Sequence, residues 1–220
     1  MGGGMSQNRH NDYSIFDRPE ILMYLFHPRP ETGFGPGNGY KEIFIPVSGG
    51  ERIGGRFYAA GTMSPTLLFF HGNGEIVEDY HDLGPIYARM GLNFMPVDYR
   101  GYGRSTGTPT VSAMMSDCHA IFEFAIEHLA AGGHSGPLIA MGRSLGSASA
   151  IELAFHYPES IGGLVVESGF ARIVPLLRLL GIDAKRCGIT EEGSFDNGQK
   201  IAAYGGPTLI IHAENDHIIP

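Results

Sequence analysis

The chain has 220 residues, enough for one sizeable domain, and its 43% hydrophobic and 17% charged content is typical of a globular protein rather than a disordered one. A net charge of −8 without any basic run argues against nucleic acid as a partner. The apolar runs are far shorter than the ~20 residues of a membrane span, no secretory signal is visible, and Cys118 and Cys187 lack metal or disulfide spacing, so we expect a cytoplasmic protein.

The first 39 residues differ in composition from the rest. Residues 1–39 are predicted to form an N-terminal extension and loop, rich in proline and glycine towards its end, and residues 40–220 to form one domain. The start fits the short pattern for myristoylation of Gly2, although a cloning remnant or a true start at Met5 would produce the same letters.

From residue 40 the sequence alternates between strand and helix patterns. Alternating polarity over Lys41–Val47 and Arg52–Ala59 predicts a hairpin. Short apolar runs then predict buried parallel strands, and amphipathic stretches between them predict helices. The predicted strands are Thr66–Phe70, Asn93–Val97, Leu138–Met141, Leu164–Val166 and Thr208–Ile211, and the predicted helices are Ile76–Met90, Ser112–Ala131, Leu145–Tyr157 and Ile173–Leu180. This order predicts an α/β fold with a doubly wound, mostly parallel sheet, whose chemistry lies at the carboxyl ends of the strands.

The strongest motif follows the strand predicted at Leu138–Met141. Gly142-Arg143-Ser144-Leu145-Gly146 is a G-x-S-x-G sequence between a strand and a helix, the context of a nucleophile elbow. Small residues are needed on both sides because the serine occupies a strained turn. We therefore predict Ser144 as a catalytic nucleophile, whereas the alternative is a glycine turn with a capping serine.

A second glycine-rich loop, His71-Gly72-Asn73-Gly74, follows Thr66–Phe70. Its free backbone N–H groups predict an oxyanion hole, in which Asn73 supplies one donor and Leu145, next after the nucleophile, supplies the other. His71 ends a buried strand, so we interpret it as a structural hydrogen-bonding residue. Asp98, which is surrounded by arginine and glycine, is likewise interpreted as part of a locked loop.

Three carboxylates compete for the acid that would orient a catalytic histidine. Asp216 lies just past the last predicted strand, where a triad acid belongs in the chain order serine, acid, histidine. Glu167 ends Leu164–Val166 and is the alternative acid, and Glu214 is a weaker one. We favour Asp216.

With these four segments, the chain resembles the α/β-hydrolase superfamily. It is most similar to small serine hydrolases with an HGN loop, a DYRGYG loop, a G-x-S-L-G elbow and a D-x-x-x-P segment, which here are His71–Gly74, Asp98–Gly103, Gly142–Gly146 and Asp216–Pro220. The resemblance implies hydrolysis of an ester, thioester or related acyl bond in a small substrate, with no metal, no organic cofactor and a minimal lid.

The resemblance also implies two features that this sequence lacks. The family's catalytic histidine and a last helix–strand–helix follow the acid, and only His217 follows Asp216 here. A fragment, a non-catalytic binding or scaffold relative, and a histidine supplied from elsewhere would each explain this. We expect the 220-residue chain to be inactive, and to self-associate through residues 208–211 if they form an apolar sheet edge.

Overall fold

The computed structural model describes residues 11–33, 39–216 and 219 of the chain. Its strands are β1 Lys41–Pro46, β2 Arg52–Phe57, β3 Thr66–Phe70, β4 Asn93–Val97, β5 Leu138–Arg143, β6 Ile161–Glu167 and β7 Thr208–Ile211. Its α-helices are α1 Pro19–Leu25, α2 Leu83–Arg89, α3 Val111–Ala131, α4 Ser147–His156, α5 Ile173–Leu179 and α6 Asn197–Tyr204.

The described strands form a single sheet in the order β1-β2-β4-β3-β5-β6-β7. β1 and β2 pair antiparallel, β2 meets β4 antiparallel, and every pair from β4 to β7 is parallel. Because these strands are parallel, the carboxyl ends of β3, β5, β6 and β7 lie along one side of the sheet. The predicted doubly wound, mostly parallel α/β sheet is confirmed.

The central strands are covered on both faces. All five residues of β3 are buried, and they alternate between two clusters. Leu67 and Phe69 belong to a cluster that Tyr80 closes on one face, whereas Leu68 and Phe70 belong to the larger core on the face that α3 and α4 cover. Burial on both faces explains why the strand reads as a continuous apolar run.

One predicted helix is wrong over its first half. The stretch Ile76–Met90 contains a 3-10 turn at Val77–Tyr80, and α2 begins only at Leu83. Pro85 explains the break, since proline has no N–H and its ring clashes with the carbonyl four residues earlier inside a helix. In the structure Pro85 sits in the first turn of α2, where neither cost arises.

The segment before β1 is more ordered than the sequence suggests. A 3-10 turn at Ser14–Phe16 and helix α1 precede the connection to β1. Five of their apolar side chains are buried in the larger core: Tyr13, Phe16, Ile21, Leu25 and Phe26. The sequence analysis assigns no helix here. The domain start at residue 40 stays a prediction, but residues 13–26 share the core of the strands that follow.

β7 differs from the other parallel strands in its exposure. It pairs with β6 along one side, and all four of its residues are exposed. Leu209, Ile210 and Ile211 expose 55%, 60% and 47% of their surface. The apolar edge that the sequence predicts at residues 208–211 is therefore present in the described part of the chain.

Candidate active site

The turn after β5 is built around backbone strain at Ser144. Ser144 has φ of 50°, in the left-handed region that residues other than glycine rarely adopt. It opens a 3-10 turn, Ser144–Gly146, that leads directly into α4. The G-x-S-x-G motif thus has the strained strand–turn–helix geometry of a nucleophile elbow, which presents a serine hydroxyl at the carboxyl edge of the sheet.

The two glycines of the motif are required by space. A methyl group on Gly142 would lie 2.3 Å from the carbonyl oxygen of Gly146. One on Gly146 would lie 2.2 Å from the carbonyl oxygen of Phe70 and 2.7 Å from that of His71. Backbone atoms at these positions cannot move aside as a flexible side chain can. The end of β3 therefore packs directly on the elbow, which brings the loop after β3 beside Ser144.

That loop is held by its side chains, which leaves the backbone of Asn73 available. The Asn73 side-chain oxygen accepts hydrogen bonds from the His27 backbone N–H at 2.8 Å and the Tyr102 hydroxyl at 2.9 Å. Gly72 N–H donates to Glu75 Oε2 at 2.7 Å. Among the described residues, the Asn73 N–H has no backbone acceptor. Leu145, which carries the other predicted donor, is buried in the 3-10 turn of the elbow.

An ion-pair cluster links the elbow, the oxyanion loop and β6. Arg143 lies 2.8 Å from Glu75 Oε1 and 3.6 Å from Glu167 Oε1, and Tyr80 donates to Glu75 Oε2 at 2.6 Å. Contact with the Tyr80 hydroxyl, with the charge of Glu75 adding to it, raises the pKa of Arg143 above its ordinary value. The sequence analysis missed this cluster. The signal was a charged residue inside the elbow and a second one just past the HGN loop.

The two main candidate acids have different surroundings. Glu167 pairs in register with Arg143 across β5 and β6, and its carboxylate faces that guanidinium. Asp216 lies in the loop after β7, where its Oδ1 accepts the Ile219 N–H at 2.8 Å and its Oδ2 lies 3.7 Å from His212 Nε2. Glu167 is the last residue of β6 and Asp216 follows β7, so both are at the carboxyl ends of neighbouring parallel strands, as Ser144 is at that of β5.

The two residues interpreted as structural are indeed in structural contacts. His71 is fully buried; its Nδ1 lies 2.8 Å from the Gly72 carbonyl oxygen, and its Nε2 lies 3.3 Å from Asp98 Oδ1 without hydrogen-bond alignment. Asp98 also accepts the Val77 N–H at 2.9 Å. A methyl group on Gly103 would lie 2.1 Å from Asp98 Oδ2, so glycine there permits the close approach. The loop arginine, Arg100, pairs with Asp117 instead of Asp98.

No histidine forms a hydrogen bond with the Ser144 side chain within residues 11–33, 39–216 and 219. His212 is the imidazole nearest to Asp216 in the described loop, and its Nε2 lies 2.6 Å from the Ile219 carbonyl oxygen. His217, the histidine that follows Asp216, lies outside the described residues. The strained turn at Ser144, the HGN loop beside it and the candidate acids thus lie at the carboxyl ends of the parallel strands, and these contacts assign no base.

Comparison with known proteins places this arrangement in a family. The sequence profile of the family described as serine aminopeptidase, S33, matches residues 61–186, more than half of the chain. This range includes β3, the HGN loop and the elbow. Within the described residues, none of the helices has the length and apolar character needed to cross a membrane.

Two relatives and one solved structure illustrate the similarity. Protein bem46 of Schizosaccharomyces pombe is 30% identical over 163 residues, which cover 71% of this chain and 52% of that protein. Lysophosphatidylserine lipase ABHD12 of Xenopus tropicalis is 29% identical over 180 residues, which cover 72% of this chain and 45% of the lipase. The chain therefore spans about half the length of these curated relatives.

The Pyrococcus furiosus esterase Pf2001 superimposes with a TM-score of 0.68 at 17% identity, over 88% of this chain and 79% of the esterase. At this identity the likeness concerns the fold alone. Together with the profile match, the sheet order and the strained G-x-S-x-G turn, it shows that the chain belongs to the α/β-hydrolase superfamily, in the family described as serine aminopeptidase, S33.

Proposed function

We propose that this protein is a serine hydrolase that cleaves an ester, thioester or related acyl bond through an acyl-enzyme on Ser144. The observation that carries the proposal is the backbone of Ser144, whose φ of 50° lies between two glycines at which an added methyl group would meet backbone atoms. Backbone strain of this kind clusters at active sites, and here it falls on the serine of a G-x-S-x-G motif between a strand and a helix.

In the proposed reaction, each group at the carboxyl ends of the strands has one role. The Ser144 hydroxyl oxygen attacks the acyl carbon as a histidine takes its proton, and the N–H groups of Asn73 and Leu145 stabilise the negative oxygen that forms. The same histidine then protonates the leaving alcohol or thiol, and water hydrolyses the acyl-serine by the reverse sequence. Asp216 holds the imidazole in orientation.

The surroundings of the acids support the choice of Asp216. Glu167 faces Arg143, which neutralises it and ties it to Glu75, so turning it towards a histidine would break an existing cluster. Asp216 lies in the loop beyond β7, next to an imidazole already. Support for an acyl ester as substrate comes from the Xenopus tropicalis relative, which is named lysophosphatidylserine lipase.

The alternative is a non-catalytic binding or scaffold protein of the same fold. It is favoured by one observation: in the described part of the chain, no imidazole is hydrogen-bonded to the Ser144 side chain. A serine without such a base is a poor nucleophile. For the same reason we propose that the 220-residue chain by itself is inactive.

A fluorophosphonate probe separates these two functions. We expect the probe to label the protein in a form that hydrolyses p-nitrophenyl esters, to lose the label in Ser144→Ala, and to keep it in Ser135→Ala, whose serine is exposed and precedes the amino end of β5, at the opposite end of that strand from Ser144. Failure to label any folded, ester-hydrolysing form at Ser144 would reject the enzyme mechanism. Folded protein that neither labels nor hydrolyses in any form would favour the scaffold.

We also propose that copies of the chain associate through β7. The strand exposes Leu209, Ile210 and Ile211, and its described pairing is with β6 on one side. An apolar edge with unpaired N–H and C=O groups is a template for a second strand.

We further propose a cytoplasmic location. Cys118 and Cys187 are both free thiols, and a reducing compartment would keep them in this state.

A further inference from the structure

Three side chains on two helices converge far from Ser144. His119 of α3 and Glu152 and His156 of α4 bring their ligand atoms within 4.8 Å of one another. Glu152 Oε1 lies 3.0 Å from His156 Nε2 and 3.7 Å from His119 Nε2. Glu152 and His156 stand four residues apart on one face of α4. His156 ends this helix, ~14 Å along it from the elbow at the 1.5 Å rise of an α-helix.

The spacing of these atoms fits a first-row metal. Zinc binds imidazole nitrogen and carboxylate oxygen at about 2.0–2.2 Å, so ligand atoms in a tetrahedral site lie about 3.3 Å from one another. The two separations from Glu152 Oε1 lie on either side of that value, and all three ligand atoms lie within 4.8 Å of one another. Binding would therefore require the two imidazoles to move closer together, which the partly exposed side chain of His119 allows.

The surroundings of the cluster resemble the support that metal ligands receive. The Nδ1 of His119 lies 3.0 Å from the Tyr157 hydroxyl, which fixes the ring with its Nε2 towards Glu152. Lys200 of α6 forms an ion pair with Glu152 Oε2, which orients the carboxylate and leaves Oε1 towards the imidazoles. Metal-bound histidines and carboxylates are usually oriented by such outer contacts.

The cluster is also accessible. The three residues line a cavity of about 620 Å³, together with Glu123, one turn after His119 on α3. The Glu152 side chain is only 4% exposed, so this cavity holds a buried carboxylate beside two imidazoles. A buried carboxylate beside two imidazoles with an entry path is a better cation site than an exposed acidic patch.

We propose that His119, Glu152 and His156 bind one Zn²⁺ per chain, with water or Glu123 at the fourth position. The ion would join α3 to α4 and, through Lys200, to α6. Its role is structural: the site lies at the opposite end of α4 from Ser144 and takes no part in acyl transfer. The ligand set of two imidazoles and one carboxylate suits zinc better than magnesium or calcium, which prefer oxygen.

The competing explanation is an ion-pair network in which both imidazoles simply donate to Glu152. A direct titration distinguishes the two. Chelator-treated protein is titrated with Zn²⁺ against a chromophoric competitor, and its thermal unfolding is followed with and without Zn²⁺. We expect one equivalent bound with a dissociation constant in the micromolar range or tighter, and a higher Tm in Zn²⁺, because an ion that binds only the folded state stabilises it.

Matched variants locate the site. His119→Gln and His156→Gln should each weaken Zn²⁺ binding at least ~10-fold and lose the Tm shift, whereas His128→Gln, on the same helix as His119, should retain both. Co²⁺ in place of Zn²⁺ should give the visible absorption of a four- or five-coordinate ion in the wild-type chain, which tests the site even if a variant does not fold. No saturable binding to the folded wild-type chain, or equal binding by both variants and the control, would overturn the proposal.

Discussion

The centre of the sheet and its β7 side are held together by different means. Around β3 and β5 the backbone itself makes the contacts, and a single methyl group on Gly146 would meet a carbonyl oxygen at 2.2 Å. On the β7 side the strand is exposed, and Asp216 is positioned by hydrogen bonds within a loop. Ser144 is thus placed by packing, and Asp216 by local polar contacts. Substitutions on the two sides should therefore fail in different ways.

The largest effect should come from the acids. In a form of the protein that hydrolyses p-nitrophenyl esters, Asp216→Asn should lower turnover by about 10⁴-fold, because the histidine loses the carboxylate that orients it. Glu167→Gln, at the end of β6, should cost less than about 10-fold, since its loss affects only the Arg143 cluster. Steady-state kinetics decide the point, and the reverse ranking would transfer the acid role to Glu167.

Substitution of one glycine in each region should have the next largest effect, which is on stability. Gly146→Ala should lower the free energy of unfolding by about 3 kcal/mol or prevent folding, because the added methyl group has only backbone to displace. Gly198→Ala, in α6 with nothing within 4 Å of the new methyl group, should leave stability unchanged or raise it by up to about 1 kcal/mol. Chemical denaturation measures both. Similar stabilities for the two variants would contradict the packing seen at the elbow.

The exposed strand makes a prediction about assembly. If β7 pairs with a second copy, Ile210→Lys should weaken self-association at least ~10-fold, because a charge on an edge strand opposes pairing. Light scattering over a range of protein concentrations would measure the mass. Ile126→Lys, a similarly exposed apolar residue on α3, is the control and should associate like the wild type. A monomeric wild-type chain at all concentrations would refute association through this edge.

The reactivities of the two cysteines test the same comparison without any substitution. Cys118 is fully buried in α3, and burial raises the pKa of its thiol well above the ordinary value. Cys187, in the connection between β6 and β7, is partly exposed. A thiol reagent near neutral pH should modify Cys187 quickly and Cys118 at least ~100-fold more slowly. The difference should disappear when the protein is unfolded. Equal rates would show that the core around α3 opens readily.

The sequence predicts the strands and the elbow well because both depend on local pattern. Thr66–Phe70 is a buried strand as expected. The two glycines around Ser144 indicate a turn that only small residues permit. Helix α1 was missed because its apolar residues pack against strands from later in the chain. The prediction of a helix at Ile76–Met90 did not take Pro85 into account, although the effect of a proline on a helix is local.

The charged clusters could not be predicted in this way. Arg143 meets Glu75 only because β3 and β5 are neighbours, and His119 meets Glu152 only because α3 packs beside α4. Such pairs depend on tertiary contacts between residues distant in sequence, for which one sequence carries no periodic signal. The histidine that the proposed mechanism requires at Ser144 would depend on a contact of the same kind.

The tether between Asn73 and the backbone of His27 has a practical consequence for truncation. Shortening the protein to the range that the family profile matches would remove this anchor of the oxyanion loop. It would also uncover the surface that Phe16, Ile21 and Leu25 now cover, and each of these side chains contributes about 1.5–3 kcal/mol when fully buried. Residues 13–27 thus act as an internal brace for the loop that we propose as the oxyanion hole, and removing them should lower both the stability of the fold and any hydrolytic activity.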